Sequence, residues 1–517
     1  MLFLRRPTRL YWALFLSSAL GALVVFYLRV SSVVRCWHWE ITDGREGPGI
    51  YAIWRLLHGY PLYEWPNRPP YSLTLYNFGF YYFYAAVMRL FGVKDEGLLG
   101  APRALTLLAA VLGAALFARL AWRYAPVRGT PGKLAFGGFC FSVWFGTQFL
   151  SWWPLDVRPD LWALVLGLAG VALVLRALVS GSRATLATAS LVFWLAWAMK
   201  QSAVLSFAGS LAALFLLTRN VRHVLTLLLP FGALVALCLL FGGERYRLSI
   251  LVAPAISRYR FSLLFEVLSR AVPQNAWLFL FAPLVFLIDA RRGLAEAWRR
   301  RALAEQALLV IAMVAVVLGV AGLGREGANK NYLFDGYVTS ALAAWFTLAR
   351  LLSSDPLRRG TLLFGAALLG PWAAFPFAQL VWPGRLGRTE LCTSADLPRL
   401  EAVANAVARL PQPLFADHDI FSQPWRATGN HYPAVVLDGT WSGIAVREGF
   451  APRDFLEAWL AEQRFASALL PAGVPEIERF RDRGATCSEF PESIDGVKFV
   501  VCHLAYAANG TPPDTAR

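Results

Sequence analysis

Apolar residues run together in this chain over lengths that approach the roughly 20 needed to cross a hydrocarbon core. Examples are YWALFLSSALGALVVFYL at 11–28, LWALVLGLAGVALVL at 161–175 and ALLVIAMVAVVLGVAGL at 307–323. The runs do not alternate as barrel strands do, and in lipid only helices and closed barrels satisfy their own backbone, so they predict helices. Spans are predicted near 11–29, 100–122, 134–151, 160–178, 185–199, 202–218, 223–241, 276–289, 303–322, 333–351 and 361–381, about eleven in all. With Arg5, Arg6 and Arg9 holding the N-terminus in the cytoplasm, the even-numbered spans end at basic clusters. These are Arg119/Arg123/Arg128/Lys133, Arg176/Arg183, Arg219/Arg222, Arg291/Arg292 with Arg299 to Arg301, and Arg350/Arg358/Arg359, the positive-inside arrangement. Lys200 and Gln201 interrupt WLAWAMKQSAVLSF, which reads either as one kinked span or as two; two spans keep every basic loop inside.

The odd-numbered ends then emerge outside, at 30–99, 152–159, around 200, 242–275, 323–332 and 382–517. Within 30–99, IYAIWRLLHG and YNFGFYYFYAAVMRLFG carry the Tyr, Phe and Trp of helices lying at headgroup depth. From 384 onward mixed charge, Pro-rich turns and alternating stretches such as YPAVVLDG and GVKFVVCHL predict a small soluble α/β domain on the outer side. The expected organisation is a mostly α transmembrane bundle over 1–383, with 30–99 as its first outer loop, and an extracytoplasmic domain over 384–517.

Composition agrees with lipid as solvent. The 517 residues are 57% hydrophobic and 16% charged, against about 45–50% and about 25% in soluble globules. The net charge of +16 would suit nucleic acid, but the arginines punctuate apolar runs instead of lining one face, so no nucleic-acid partner is expected. The RRPTR start, with no small-residue cleavage site before a soluble domain, reads as an uncleaved signal anchor. Cys140 and Cys238 lie inside spans as small hydrophobes, whereas Cys36, Cys392, Cys487 and Cys502 fall outside, where an oxidising compartment permits disulfides of undetermined pairing. No CxxC, HExxH or phosphate-cradling glycine loop occurs.

Polar residues with chemistry gather on the outer side. Glu40, Asp43 and Glu46 follow the first span, and a carboxylate partly desolvated at a membrane interface is suited to act as general base for a hydroxyl. Asp156, Arg158 and Asp160 mark the entry of the fourth span, where capping the helix competes with catalysis for Asp160. Lys200 at that depth either snorkels or meets an anion. Glu244, Arg245, Arg247, Arg258, Arg260, Arg325, Glu326, Asn329, Lys330, Asn331 and Asp335 add further outer charges and amides. Outer cations that break the positive-inside rule are economically explained by a phosphate, which Arg and Lys bind through charge-assisted hydrogen bonds.

The order of these features resembles a known group. An acidic first outer loop, the G-x-P-L-Y turn at Gly59 to Tyr63, aromatic interfacial helices ending in RLFG, the RPD loop, the KQS step, the NY pair and an outer C-terminal domain are similar to the GT-C superfamily. These are membrane glycosyltransferases that use polyprenyl-phosphate sugars. The likeness is greatest to the bacterial branch of protein O-mannosyltransferases and lipid A aminoarabinose transferases, and covers most of 1–380. It implies transfer of a sugar from a polyprenyl-phosphate donor to a hydroxyl of a glycan, lipid or protein on the extracytoplasmic face of a bacterial inner membrane, with inversion. It also implies a first-loop carboxylate as base. The family's Asp-Glu-like pair is not intact here: DGREG supplies Glu46 first and Asp43 second. Asp156 or Asp160 would orient the acceptor or support the base, Lys200, Arg245 and Arg325 would meet the lipid phosphate with Arg158 and Gln201 beside them, and Asn331 and Tyr332 would contact sugar or phosphate. Metal use varies in the superfamily; without a His cluster no obligatory metal is expected, and a divalent ion stays open. The competing class is a polytopic transporter or flippase, whose sites usually lie at the midplane in paired repeats. No internal repeat is found, and a non-catalytic sensor would leave the outer cations unexplained.

Overall fold

The computed structural model describes residues 7–39, 46–65, 74–126, 130–147, 149–255, 257–271, 294–299, 301–354, 378, 380–381, 392–411, 414–416, 447, 449, 466–482, 484–491 and 498–503. The chain is mostly helical. In order come α1 (Pro7–Arg35), α2 (Gly47–Leu57), α3 (Phe78–Leu90), α4 (Gly100–Tyr124), α5 (Thr130–Phe141, continued by a π-turn at Ser142–Gly146), α6 (Asp160–Ser180), α7 (Arg183–Met199), α8 (Leu205–Thr218) and α9 (Val221–Phe241). Long helices follow at Leu303–Gly322 and Phe334–Ser354. Five stretches are long and apolar enough to cross a membrane: Leu16–Arg35, Gly100–Tyr124, Asp160–Ser180, Val221–Phe241 and Leu303–Gly322. The protein is a multi-pass membrane protein.

Nine of the eleven predicted spans coincide with described helices; that at 276–289, and that at 361–381 apart from Ala378, Leu380 and Val381, lie outside the described residues. The ambiguous stretch around Lys200 is two helices. Helix α7 stops at Met199, Lys200 is extended, and the turn to α8 is closed by Ala203 N–H donating to Lys200 O at 2.9 Å. Helix α6 ends on Gly181 in the left-handed region, φ 69°, and Ser182 then caps α7 by accepting from Thr185 N. The bundle core runs through Trp144, Leu168, Phe193, Phe207, Ile311 and Leu342. Helix α9 instead exposes Leu225, Leu229, Leu240 and Phe241, as a helix on the lipid side would.

The segment predicted as the first outer loop is packed more deeply than amphipathic pattern alone suggests. Helix α2 buries Ile50, Tyr51, Ile53 and Trp54 against Phe80, Tyr84 and Met88 of α3, while Tyr82 and Leu90 of α3 and the following Phe91 are exposed. Toward the C-terminus, β1 (Leu414–Ala416), β2 (Ser467–Pro471), β3 (Thr486–Glu489) and β4 (Phe499–His503) form a sheet in the order β1-β2-β4-β3. Its β1–β2 pair is parallel and the others antiparallel, and Val403 and Val407 of the helix Asp396–Ala408 cover one face. YPAVVLDG lies outside the described residues. Disulfides join Cys36 to Cys392 and Cys487 to Cys502, resolving the pairing that the sequence left open.

Candidate active site

The acidic loop is anchored by one arginine. Arg103, near the start of α4, donates through Nε to Glu46 Oε1 at 3.0 Å and pairs with Oε2 through Nη2, while the same guanidinium reaches Trp39 O at 2.8 Å and Cys36 O at 3.2 Å. Val157 N–H supplies Glu46 Oε1 with a further bond of 3.0 Å. Glu46 is 0% exposed and Arg103 1% exposed. Both ends of the segment 40–45 are therefore pinned to one side chain, and Asp43 within it lies outside the described residues.

The second centre sits where α6 begins and α7 ends. Pro159 occupies the N-cap of α6 without a side-chain cap, and the Asp160 carboxylate points elsewhere. Its Oδ1 takes a close ion pair from Lys200 Nζ and a hydrogen bond of 2.9 Å from Asn331 Nδ2. Lys200 Nζ stands 5.7 Å from the ring centroids of both Tyr76 and Tyr332. A lysine capped at α7's C-terminus thus meets an acid at α6's N-terminus, with aromatic faces holding the cation between them. Gln201 follows, donating to Leu75 O at 2.6 Å, and Tyr63 donates to Tyr76 O at 2.9 Å.

Between these centres, Arg158 pairs with Asp156 at 3.1 Å and lies over the Trp153 ring, as does Lys330. Burial works against the Arg158 charge, but Asp156, then Tyr76, Asp160 and Glu46, more than offset it and hold the guanidinium above its ordinary pKa. Six of the anticipated residues, Asp156, Arg158, Asp160, Lys200, Asn331 and Tyr332, therefore belong to one neighbourhood, with Gln201 adjoining and Glu46 buttressing it. Arg245 and Arg325 are held elsewhere. Arg245 shares Glu64 with buried Arg55, at 3.0 Å and 2.9 Å, and Arg325 donates to Pro254 O at 3.2 Å. Among the described residues no group of three or more His, Cys, Asp or Glu could hold a metal ion.

Several participants escape a reading of the sequence. Tyr76 is one of many tyrosines in an aromatic run, and Arg103 stands inside a span. Arg29 is likewise buried near the C-terminal end of α1, where its Nη1 donates to Phe145 O, Thr147 O and Ser151 O at 3.2, 3.3 and 3.0 Å. It supplies donors to carbonyls in and just beyond the π-turn after α5. Asp335, anticipated only as an outer acid, is buried and accepts from the Ser206 hydroxyl of α8.

Solved structures share this arrangement of helices. ArnT from Cupriavidus metallidurans in the apo state matches with a TM-score of 0.55 at 15% identity, over 95% of this chain and 100% of that one. The same protein bound to undecaprenyl phosphate matches at 0.54 and 14% identity, over 95% and 98%. The chain has the GT-C fold. The apo Archaeoglobus fulgidus oligosaccharyltransferase, also of GT-C fold, gives 0.50 at 12% identity over 88% of this chain and 69% of its own. No protein-family model and no curated protein matches the sequence.

Proposed function

We propose that this chain is a glycosyltransferase that takes a sugar from a polyprenyl-phosphate donor and passes it to a hydroxyl on the extracytoplasmic face of a bacterial inner membrane. The observation that carries the reading is the Lys200–Asp160 pair between Tyr76 and Tyr332, set at the helix break of a GT-C fold. ArnT, of the same fold, has been solved with undecaprenyl phosphate bound, which makes a lipid phosphate the natural anion for this lysine. The positive-inside pattern puts that break on the outer side.

In this reaction the acceptor hydroxyl attacks the anomeric carbon and the bond from that carbon to the phosphate oxygen breaks, its electrons leaving with polyprenyl phosphate. Lys200, oriented by Asp160 and Asn331, neutralises the charge that grows on the leaving oxygen. Arg158 and Lys330 add positive potential, and exposed Arg245 and Arg325 draw the donor phosphate toward the site from neighbouring loops. The hydroxyl proton passes to a first-loop carboxylate, with inversion. Glu46 is wholly engaged by Arg103 and Val157 N–H, so Glu46 positions the loop and Asp43, between the pinned ends, takes the proton. Asp156 fixes Arg158. Sugar identity, hexose or pentose, and the acceptor, whether glycan, lipid or protein, are read from products.

Release of undecaprenyl phosphate from lipid-linked sugars in detergent, with and without EDTA or added Mn²⁺, tests the scheme and its metal dependence. Asp43→Asn is expected to lose about 10²–10⁴-fold in turnover. Full activity in that variant, alongside loss in a correctly folded Glu46→Gln, would return the base role to Glu46.

A further inference from the structure

Three oxygens of Lys200's neighbours Asp160, Gln201 and Asn331 accept no hydrogen bond among the described residues. Gln201 Nε2 is committed to Leu75 O, which turns Oε1 away from that carbonyl; Asn331 Nδ2 is committed to Asp160 Oδ1, which turns its own Oδ1 away from the carboxylate. Neither amide can be flipped, since flipping would set oxygen against oxygen. Lys200 lands on the same Asp160 Oδ1, leaving Oδ2. Gln201 Oε1, Asn331 Oδ1 and Asp160 Oδ2 are all buried and accept no hydrogen bond among the described residues. Buried acceptors are expensive to leave unmatched, and three beside one lysine imply a bound group rich in donors. Asp160 itself is 4% exposed, whereas Gln201, Asn331, Tyr76 and Tyr332 are half-buried and present an edge that a ligand can meet.

We propose that these oxygens read the hydroxyls of the transferred sugar, and that the site selects an uncharged, hydroxyl-rich sugar over uronic acids and amino sugars. The inference rests on the transferase reading above. Hydroxyls are the donors that match three acceptors, and the flanking Tyr76 and Tyr332 offer apolar faces for ring carbons. A uronate would set its own acceptor oxygens against acceptors already short of donors. An ammonium would enter beside the Lys200 ammonium, a like charge that repels it. Gln201 and Asn331 are therefore specificity-determining residues.

Purified protein is assayed with undecaprenyl-phosphate-linked glucose, mannose, galactose and arabinose, their mono-deoxy analogues, glucuronic acid and glucosamine. Wild type is expected to transfer a neutral sugar best and to disfavour at least one deoxy analogue of it by about 100-fold or more in kcat/KM, because a site built around a hydroxyl leaves its polar group unpaired when that hydroxyl is missing. Asn331→Leu and Gln201→Leu are each expected to lose the parent sugar while keeping the matching deoxy donor, so that the ratio collapses toward one. Melting temperature and retained binding of undecaprenyl phosphate report that each variant is folded. Best transfer of the uronic acid or the amino sugar, or unchanged deoxy discrimination in both folded variants, overturns the inference and leaves the transferase reading standing. No transfer of any donor by folded wild type overturns both.

Discussion

Glu46 has no exposed surface, and Arg103 meets both of its carboxylate oxygens while Val157 N–H adds a third donor. Removing one member strands the other. Arg103→Met is expected to destabilise the protein by about 3–5 kcal/mol, read as a lowered melting temperature in detergent, whereas Glu46→Leu with Arg103→Met recovers most of the loss. An equal loss in single and double variants would contradict the pairing. This ion pair was half legible in the sequence. Glu46 announces itself as an acid after a span, but its partner is 57 residues away and reads as one more arginine beside an apolar run. Lys200 was legible because nothing else charged breaks its surroundings. Asp160 was ambiguous, since one carboxylate at a helix start serves equally as cap or as ligand until Lys200 and Asn331 are seen beside it. Unmatched oxygens such as Gln201 Oε1 could not be read at all, being defined by partners that folding does not bring.

Among elements, the decisive feature is the break between α7 and α8 and the way α3 locks onto it. A Cβ on Gly79 would lie 2.6 Å from Ala198 O, so only glycine lets α3 approach α7 this closely. Asn77 secures the contact, donating to Trp197 O at 2.6 Å and accepting from Tyr246 at 2.8 Å. The contact lies within one turn of Lys200, so Gly79→Ala is expected to lower stability by about 1–3 kcal/mol and to reduce turnover with it. Unchanged melting and activity would show that α3 does not set the break. Helices and their ends were largely visible in hydropathy and in punctuation such as the Gly181–Ser182 stop and start. The depth of α2 was not, because an amphipathic pattern looks the same whether its apolar face meets lipid or Phe80 and Tyr84.

For the whole molecule, sidedness and covalent linkage must agree. The Cys36–Cys392 disulfide spans 356 residues and ties the end of α1 to the segment before the sheet-forming region. Disulfides persist in oxidising compartments, so the positive-inside reading predicts that Cys36–Cys392 and Cys487–Cys502 both lie on the outer side. In intact cells expressing protein with Cys140 and Cys238 replaced by serine, a membrane-impermeant maleimide is expected to label only after treatment with an impermeant reductant. Labelling without reduction would contradict the disulfides, and labelling only after permeabilisation would reverse the topology. The order of motifs carried the GT-C fold even though no family model matches. The central claim is that Lys200, held by Asp160, receives the phosphate of a lipid-linked sugar. It is tested most directly by measuring undecaprenyl phosphate released from a lipid-linked neutral sugar by wild type and by Lys200→Met of equal melting temperature. The account predicts release by wild type and a fall of about 10²–10³-fold in the variant; equal release by both proteins would contradict it.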